Sequence, residues 1–145
     1  MSPLAFNIYI DDLLHELTKS KAGFALTIKH DYDDDPIERH CSSNSFVDDL
    51  VLVADSGDSL QHLINIVSSW SEKNYFKINL GKEGTGVLHI GERRQYEDFY
   101  IHGEKLRTLN TEENFSSFRY LGFHIRPDGK WNDFAEKQHP KQRVQ

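Results

Sequence analysis

The sequence predicts an α+β domain with helices packed on one face of a mainly antiparallel sheet. Three observations carry this expectation. Apolar residues recur at helical spacing in two segments. Elsewhere, short β-type runs are bounded by turn residues. The order along the chain is helix, strands, helix, strands.

Ser2 and Pro3 suit an N-cap and a first helical position. Phe6, Ile10, Leu13, Leu14 and Leu17 then predict a helix from Pro3 to Thr18, which Gly23 stops. Phe24 to Lys29 reads as a strand. The segment from His30 to Glu38 holds five acids in nine residues and includes Pro36, so a loop is expected there and on to Asn44. Ser45 to Ala54 places two apolar runs around Asp48-Asp49, which predicts a hairpin with the pair at its tip. Leu60, Leu63, Ile64, Val67 and Trp70 mark a second amphipathic helix, ending near Asn74. Strands are expected at Phe76 to Asn79, Thr85 to Ile90, Phe99 to His102, Lys105 to Leu109 and Phe118 to Ile125. Gly103-Glu104 is expected as a hairpin turn, Pro127-Asp128-Gly129 as another turn, and Trp131 to Lys137 as the start of a third helix that Pro140 breaks.

Composition narrows the function classes. Hydrophobic residues make up 37% of the 145, enough for a modest core and too many for a wholly disordered chain. No apolar run approaches the ~18 to 20 residues of a membrane span, and the first residues do not read as a signal peptide. Cys41 is the single cysteine, so no internal disulfide forms. The net charge of −6 counts against a free-standing nucleic-acid binder, although much of it sits in the acidic segment.

Asp48 and Asp49 interrupt an otherwise apolar run. Buried side by side, two carboxylates would be costly and would repel each other. Adjacent strand residues point to opposite faces, so the two side chains converge only at a bend. A divalent cation offsets the repulsion, and Mg²⁺ favours one or two carboxylates completed by water and phosphate. Two such ions ~4 Å apart serve phosphoryl or nucleotidyl transfer. Asp-Asp is equally a solvent-exposed turn that binds nothing.

The neighbouring motifs weigh on that choice. Ser2-Pro3-Leu4, then Phe6-Asn7 and Tyr9-Ile10, resembles the segment that opens a palm helix in non-LTR retrotransposon reverse transcriptases. Phe46-Val47-Asp48-Asp49 resembles that family's catalytic hairpin, and Leu50 to Ser56 continues it in the family manner. The helix ending near Trp70, followed by Phe76-Lys77-Ile78-Asn79, looks like the next palm helix and strand. Tyr120-Leu121-Gly122 resembles the hairpin that grips the primer, and Asp128-Gly129-Lys130-Trp131 resembles the entry to the thumb. These motifs occur in the family's order over nearly the whole chain.

The resemblance implies an RNA-directed DNA polymerase, a nucleotidyltransferase that uses Mg²⁺, an RNA template, a DNA primer and deoxynucleoside triphosphates. Residues 1–130 would form a partial palm. Residues 131–145 would be a truncated start of the thumb or a disordered tail. Asp48 would be the main metal ligand and Asp49 its neighbour, both catalytic. Ser2 and Pro3 would lie beside the template and incoming nucleotide, and Tyr120, Leu121 and Gly122 would hold the primer. Lys82 would neutralise the leaving pyrophosphate, though Glu83 and Gly84 push in before the family's usual threonine; a surface-loop lysine is the alternative. Lys73, Lys77, Arg93 and Arg94 are bases available to a phosphate backbone.

The family's third catalytic aspartate sits on a strand upstream of the Ser2-Pro3 helix, and that strand and the fingers are not among these residues. The chain is therefore expected to be a polymerase fragment, inactive alone, with an unpaired sheet edge that favours self-association. A non-catalytic relic, or a palm-derived module that binds a protein or RNA, is the alternative. The chain is expected inside the cell, with nothing to separate nucleus from cytoplasm.

Other signals carry less. Asp31, Asp33 and Asp35 alternate, but Pro36 and Ser42 stand where a calcium loop needs Gly and Glu. No histidine pair has metal-ligand spacing beside Cys41, so a zinc site is not expected. Trp70 and Trp131 are expected as core or interface residues.

Overall fold

A computed structural model of the chain describes residues 3–30, 33–81, 84–90, 97–108 and 118–127. In chain order its elements are α1 (Pro3–Lys19), β1 (Phe24–His30), β2 (Asp33–Cys41), β3 (Ser43–Phe46), β4 (Asp49–Leu52), α2 (Gly57–Lys73), β5 (Gly86–Val87), β6 (Tyr100–Ile101), β7 (Glu104–Lys105), β8 (Arg107–Thr108), β9 (Phe118–Tyr120) and β10 (Phe123–Ile125). The fold is mixed α+β, as expected, with two helices and short, mostly antiparallel strand pairs among the described residues. The strands pair in twos, and β5–β8 is parallel. The chain divides into two compact units, Met1–Ile78 with Tyr100–Glu104, and Asn79–Phe99 with Lys105–Gln145.

The first unit is built on the two helices. Ile10, Leu13 and Leu17 bury one face of α1 against Leu63 and Trp70 of α2. Ser56 caps α2 by accepting from the Ser59 amide at 3.3 Å, while Asp58 and Lys73 suit the two ends of the helix dipole. Beside this core, Tyr9, Trp70 and Phe76 form an aromatic group: the Tyr9 and Trp70 rings meet edge to face at 5.4 Å, and Phe76 lies tilted against both. Each such pair contributes about 0.5–1.5 kcal/mol beyond burial. Their polar atoms are also satisfied: Tyr9 Oη donates to the Asn74 carbonyl at 2.9 Å and Trp70 Nε1 donates to Asp12 Oδ1 at 2.9 Å. The strand expected at Phe76 to Asn79 is absent, because Phe76 turns inward to close this aromatic group.

The end of α2 follows a recognisable closing pattern. The Phe76 amide donates to the Ser71 carbonyl at 2.8 Å and the Tyr75 amide donates to the Glu72 carbonyl at 3.3 Å, which is the Schellman arrangement. Its left-handed position is occupied by Tyr75, at φ 53°. The hydrophobic contact that accompanies the motif is Phe76 on Trp70.

The loop expected from His30 to Asn44 is largely strand. β2 pairs antiparallel with β1 from Phe24↔Cys41 to Ile28↔Ile37, with a register shift before His30↔Asp33. Pro36 is tolerated because each strand of a two-stranded sheet is an edge strand. Helix α1 ends at Lys19, four residues before Gly23. Gly23, at φ 130°, lets the backbone pass Cys41 and Ser42; a Cβ there would meet the Cys41 carbonyl oxygen at 2.6 Å.

In the second unit, Gly86↔Arg107 and Val87↔Thr108 form the parallel pair. Val87, Phe99 and Leu106 are buried, and the Leu106 amide donates to the Phe99 carbonyl at 2.7 Å. The run Phe118 to Ile125 is a hairpin of β9 and β10, folded at Leu121-Gly122. The expected third helix and the Pro127-Asp128-Gly129 turn, apart from Pro127, lie outside the described residues. No helix among the described residues is long and apolar enough to cross a membrane.

Candidate active site

The aspartate pair sits on a hairpin fixed from below. In β4, Leu50 and Leu52 pack against the core formed by the two helices. Beyond the β3–β4 ladder, the Val53 amide donates to the Ser42 carbonyl at 2.9 Å. The hairpin therefore stands on its paired backbone and on the apolar packing of β4.

The tip is offset by one residue from the expected place. Phe46 pairs with Asp49, so the two turn residues are Val47 and Asp48, and Asp49 opens β4. The register that places Leu50 and Leu52 inward decides this, because a slip of one would turn them outward. Asp48 and Asp49 are both exposed. Asp48 lies in the turn, so the strand alternation that separates neighbouring side chains does not hold between the two. Val47 carries the strain of the turn at φ 53°. A β-branched residue in that region is an outlier costing about 1–3 kcal/mol, and such residues cluster at functional sites.

Two adjacent exposed carboxylates at a hairpin tip are hard oxygen donors that fit one divalent cation, with water and phosphate completing its shell. Among the described residues, no group of three His, Cys, Asp or Glu gathers to hold a metal. The pair alone thus fits part of a two-ion site.

Tyr120, Leu121 and Gly122 also lie at a hairpin, in the second unit. Leu121 and Gly122 are its turn residues, at φ 48° and 83°, the mirror-image turn that suits a two-residue hairpin. Leu121 is exposed, whereas the Tyr120 hydroxyl is buried and finds no hydrogen-bond partner among the described residues. The exposed part of this motif is its turn. Pro3 is the first residue of α1; its side chain, and Ser2, Lys82, Arg93 and Arg94 altogether, lie outside what is described.

A polar cluster on α2 was not foreseen from sequence. His102 Nε2 lies 3.0 Å from Ser71 Oγ, and its Nδ1 lies 2.8 Å from Glu72 Oε1 and 3.1 Å from Ser68 Oγ. His102 heads the β6–β7 turn at φ 50°, one residue before the place where Gly103-Glu104 was expected to turn. Serine, imidazole and carboxylate stand here in the order of a nucleophilic triad. Ser71 is only 1% exposed, however, and its hydroxyl already donates to the Ser68 carbonyl, so no substrate reaches it. The cluster is structural: it docks the hairpin on α2. Gln61 reinforces it, its amide donating to the Tyr100 carbonyl at 2.8 Å while its Oε1 accepts from the Tyr100 amide at 2.9 Å. Serines and a glutamate on one helix face look like ordinary surface, and their histidine lies about thirty residues downstream, so no local pattern announces the cluster.

Compared with known proteins, residues 1–125 match the family model described as reverse transcriptase (RNA-dependent DNA polymerase). No curated protein and no solved structure matches the chain.

Proposed function

This chain belongs to the reverse transcriptase family, and on that premise we propose that it supplies the metal-binding hairpin of a palm of the non-LTR type. Residues 1–130 form part of that palm. The observation that carries the proposal is the pair of exposed carboxylates, Asp48 and Asp49, at the tip of a hairpin with a strained turn at Val47, anchored by Leu50 and Leu52.

Asp48 is the principal ligand of a Mg²⁺ ion and Asp49 its neighbour. The bound ion would supply charge neutralisation for the attacking hydroxyl and the leaving phosphate oxygens. The protein's part is positional: the turn holds the two carboxylates where a triphosphate and a primer end meet. Ser2 and Pro3 border the template, the turn at Leu121-Gly122 beside Tyr120 steadies the primer, and Lys82 offers a cation to the departing pyrophosphate. Two carboxylates make an incomplete two-ion site, so these 145 residues alone do not extend a primer.

Mn²⁺ serves as a paramagnetic probe for the site. Titrated into the chain and followed by electron paramagnetic resonance, it should bind weakly, and Asp48→Asn should remove that binding. In a polypeptide completed with the family's third aspartate and fingers, Asp48→Asn should abolish RNA-templated primer extension. Equal Mn²⁺ affinity in the variant, or full extension by it, would overturn the assignment.

A further inference from the structure

Tyr75 combines two properties that a folded domain has no reason to put together. It is 97% exposed, and it occupies the left-handed position of the Schellman turn at φ 53°. Glycine is the default residue there, because a Cβ strains that conformation, and asparagine is the common second choice. Packing does not compensate for the strain, since the ring stands in solvent. The motif's hydrophobic contact is already made by Phe76 on Trp70.

The surroundings point to a ligand. Lys73, Tyr75 and Lys77 are all exposed, spaced two residues apart across the end of α2. Among the described residues, neither lysine meets a carboxylate. Glu72, next to Lys73 in the chain, is engaged with His102 at 2.8 Å. In a chain of net charge −6, this patch offers two cations around a bare aromatic face.

We infer that Lys73, Tyr75 and Lys77 form a contact site for single-stranded nucleic acid. Tyr75 gives one base a stacking surface, and the lysines meet the flanking phosphates. A single strand satisfies both halves of the site, because every base has a π face and its backbone is anionic. A duplex keeps its base faces stacked inside and offers only the phosphates. The inference rests on the polymerase reading for nucleic acid as the ligand, and it is independent of Asp48 and Asp49.

The test is fluorescence anisotropy of a labelled oligouridine of about 12 nucleotides with the whole chain, in parallel with thermal unfolding. Tyr75→Gly should weaken binding about tenfold while raising the unfolding midpoint by about 3 °C. Tyr75→Phe should bind like the parent. The double substitution Lys73→Gln, Lys77→Gln should flatten the plot of log affinity against log salt by about 1.4. A duplex should bind more weakly, with no dependence on Tyr75. The Mn²⁺ titration reads the Asp48 hairpin and the anisotropy reads the Tyr75 patch, so a failed metal assignment and a failed stacking site give different results. The inference falls if the parent does not bind oligouridine, if Tyr75→Gly binds as well as the parent, or if that variant is less stable.

Discussion

His102 Nε2 stands 3.0 Å from the hydroxyl of Ser71, one of the most deeply buried side chains in the protein. The contact ties the turn between β6 and β7 to the C-terminal half of α2. His102→Asn keeps a residue that tolerates φ 50° but loses the reach to Ser71 and Glu72. It should cost about 0.5–1.5 kcal/mol, the net worth of a lost hydrogen bond, since the Ser71 hydroxyl keeps its bond to the Ser68 carbonyl. Amide hydrogen exchange should quicken at Tyr100–Glu104 and leave α1 protected. Unchanged exchange in that segment would show that the turn docks without the imidazole.

Val47 should respond in the opposite direction. Val47→Gly removes the Cβ that opposes φ 53°, so stability should rise by about 1 kcal/mol if the register of β3 and β4 is kept. Denaturant midpoints would measure the gain. A loss would mean that packing of the valine side chain outweighs its backbone strain.

Leu63 is fully buried between the helices. Leu63→Ala should cost about 2–5 kcal/mol, from lost transfer energy and the cavity left behind. In a domain this size that is a large share of total stability, so a cooperative thermal transition should shift far down or vanish. A small shift would mean that the helices close over the cavity.

Gly23→Ala should also destabilise, by about 1–3 kcal/mol. The added methyl would meet backbone of Cys41 and Ser42, which cannot swing aside as a side-chain tip would, and φ is 130°. Circular dichroism at equilibrium and a urea titration would show the loss.

The helices were legible because their apolar spacing is local. Pro3, the Phe6-to-Leu17 face and the Leu63, Ile64 and Trp70 positions of α2 stand where the sequence places them. The hairpin carrying Asp48 and Asp49 was legible to within one residue, and its exact turn depended on Phe46 pairing with Asp49. β2 was missed because composition says loop, while its ladder with β1 is decided by backbone pairing across a register. The run at Phe76 has strand-like residues, yet the Schellman turn and the aromatic group capture it. Strands in the second unit shrink to two or three residues, since a strand lasts only as long as its partner does. Of the expected site residues, Asp48 and Asp49 lie side by side at one hairpin tip, the first in its turn and the second opening β4, while Leu121 and Gly122 form the turn of another. The cluster of Ser68, Ser71, Glu72 and His102 needed a three-dimensional encounter that no spacing rule encodes.

The paired bonds between Gln61 and Tyr100 have a consequence for solubility. A carboxamide offers one donor and one acceptor side by side, the same face that a peptide group of an adjoining strand would offer. At Tyr100 the helix thus impersonates a neighbouring strand. The main-chain groups through which another molecule could zip onto β6 are already spoken for there, so this margin is closed to fibre-like stacking.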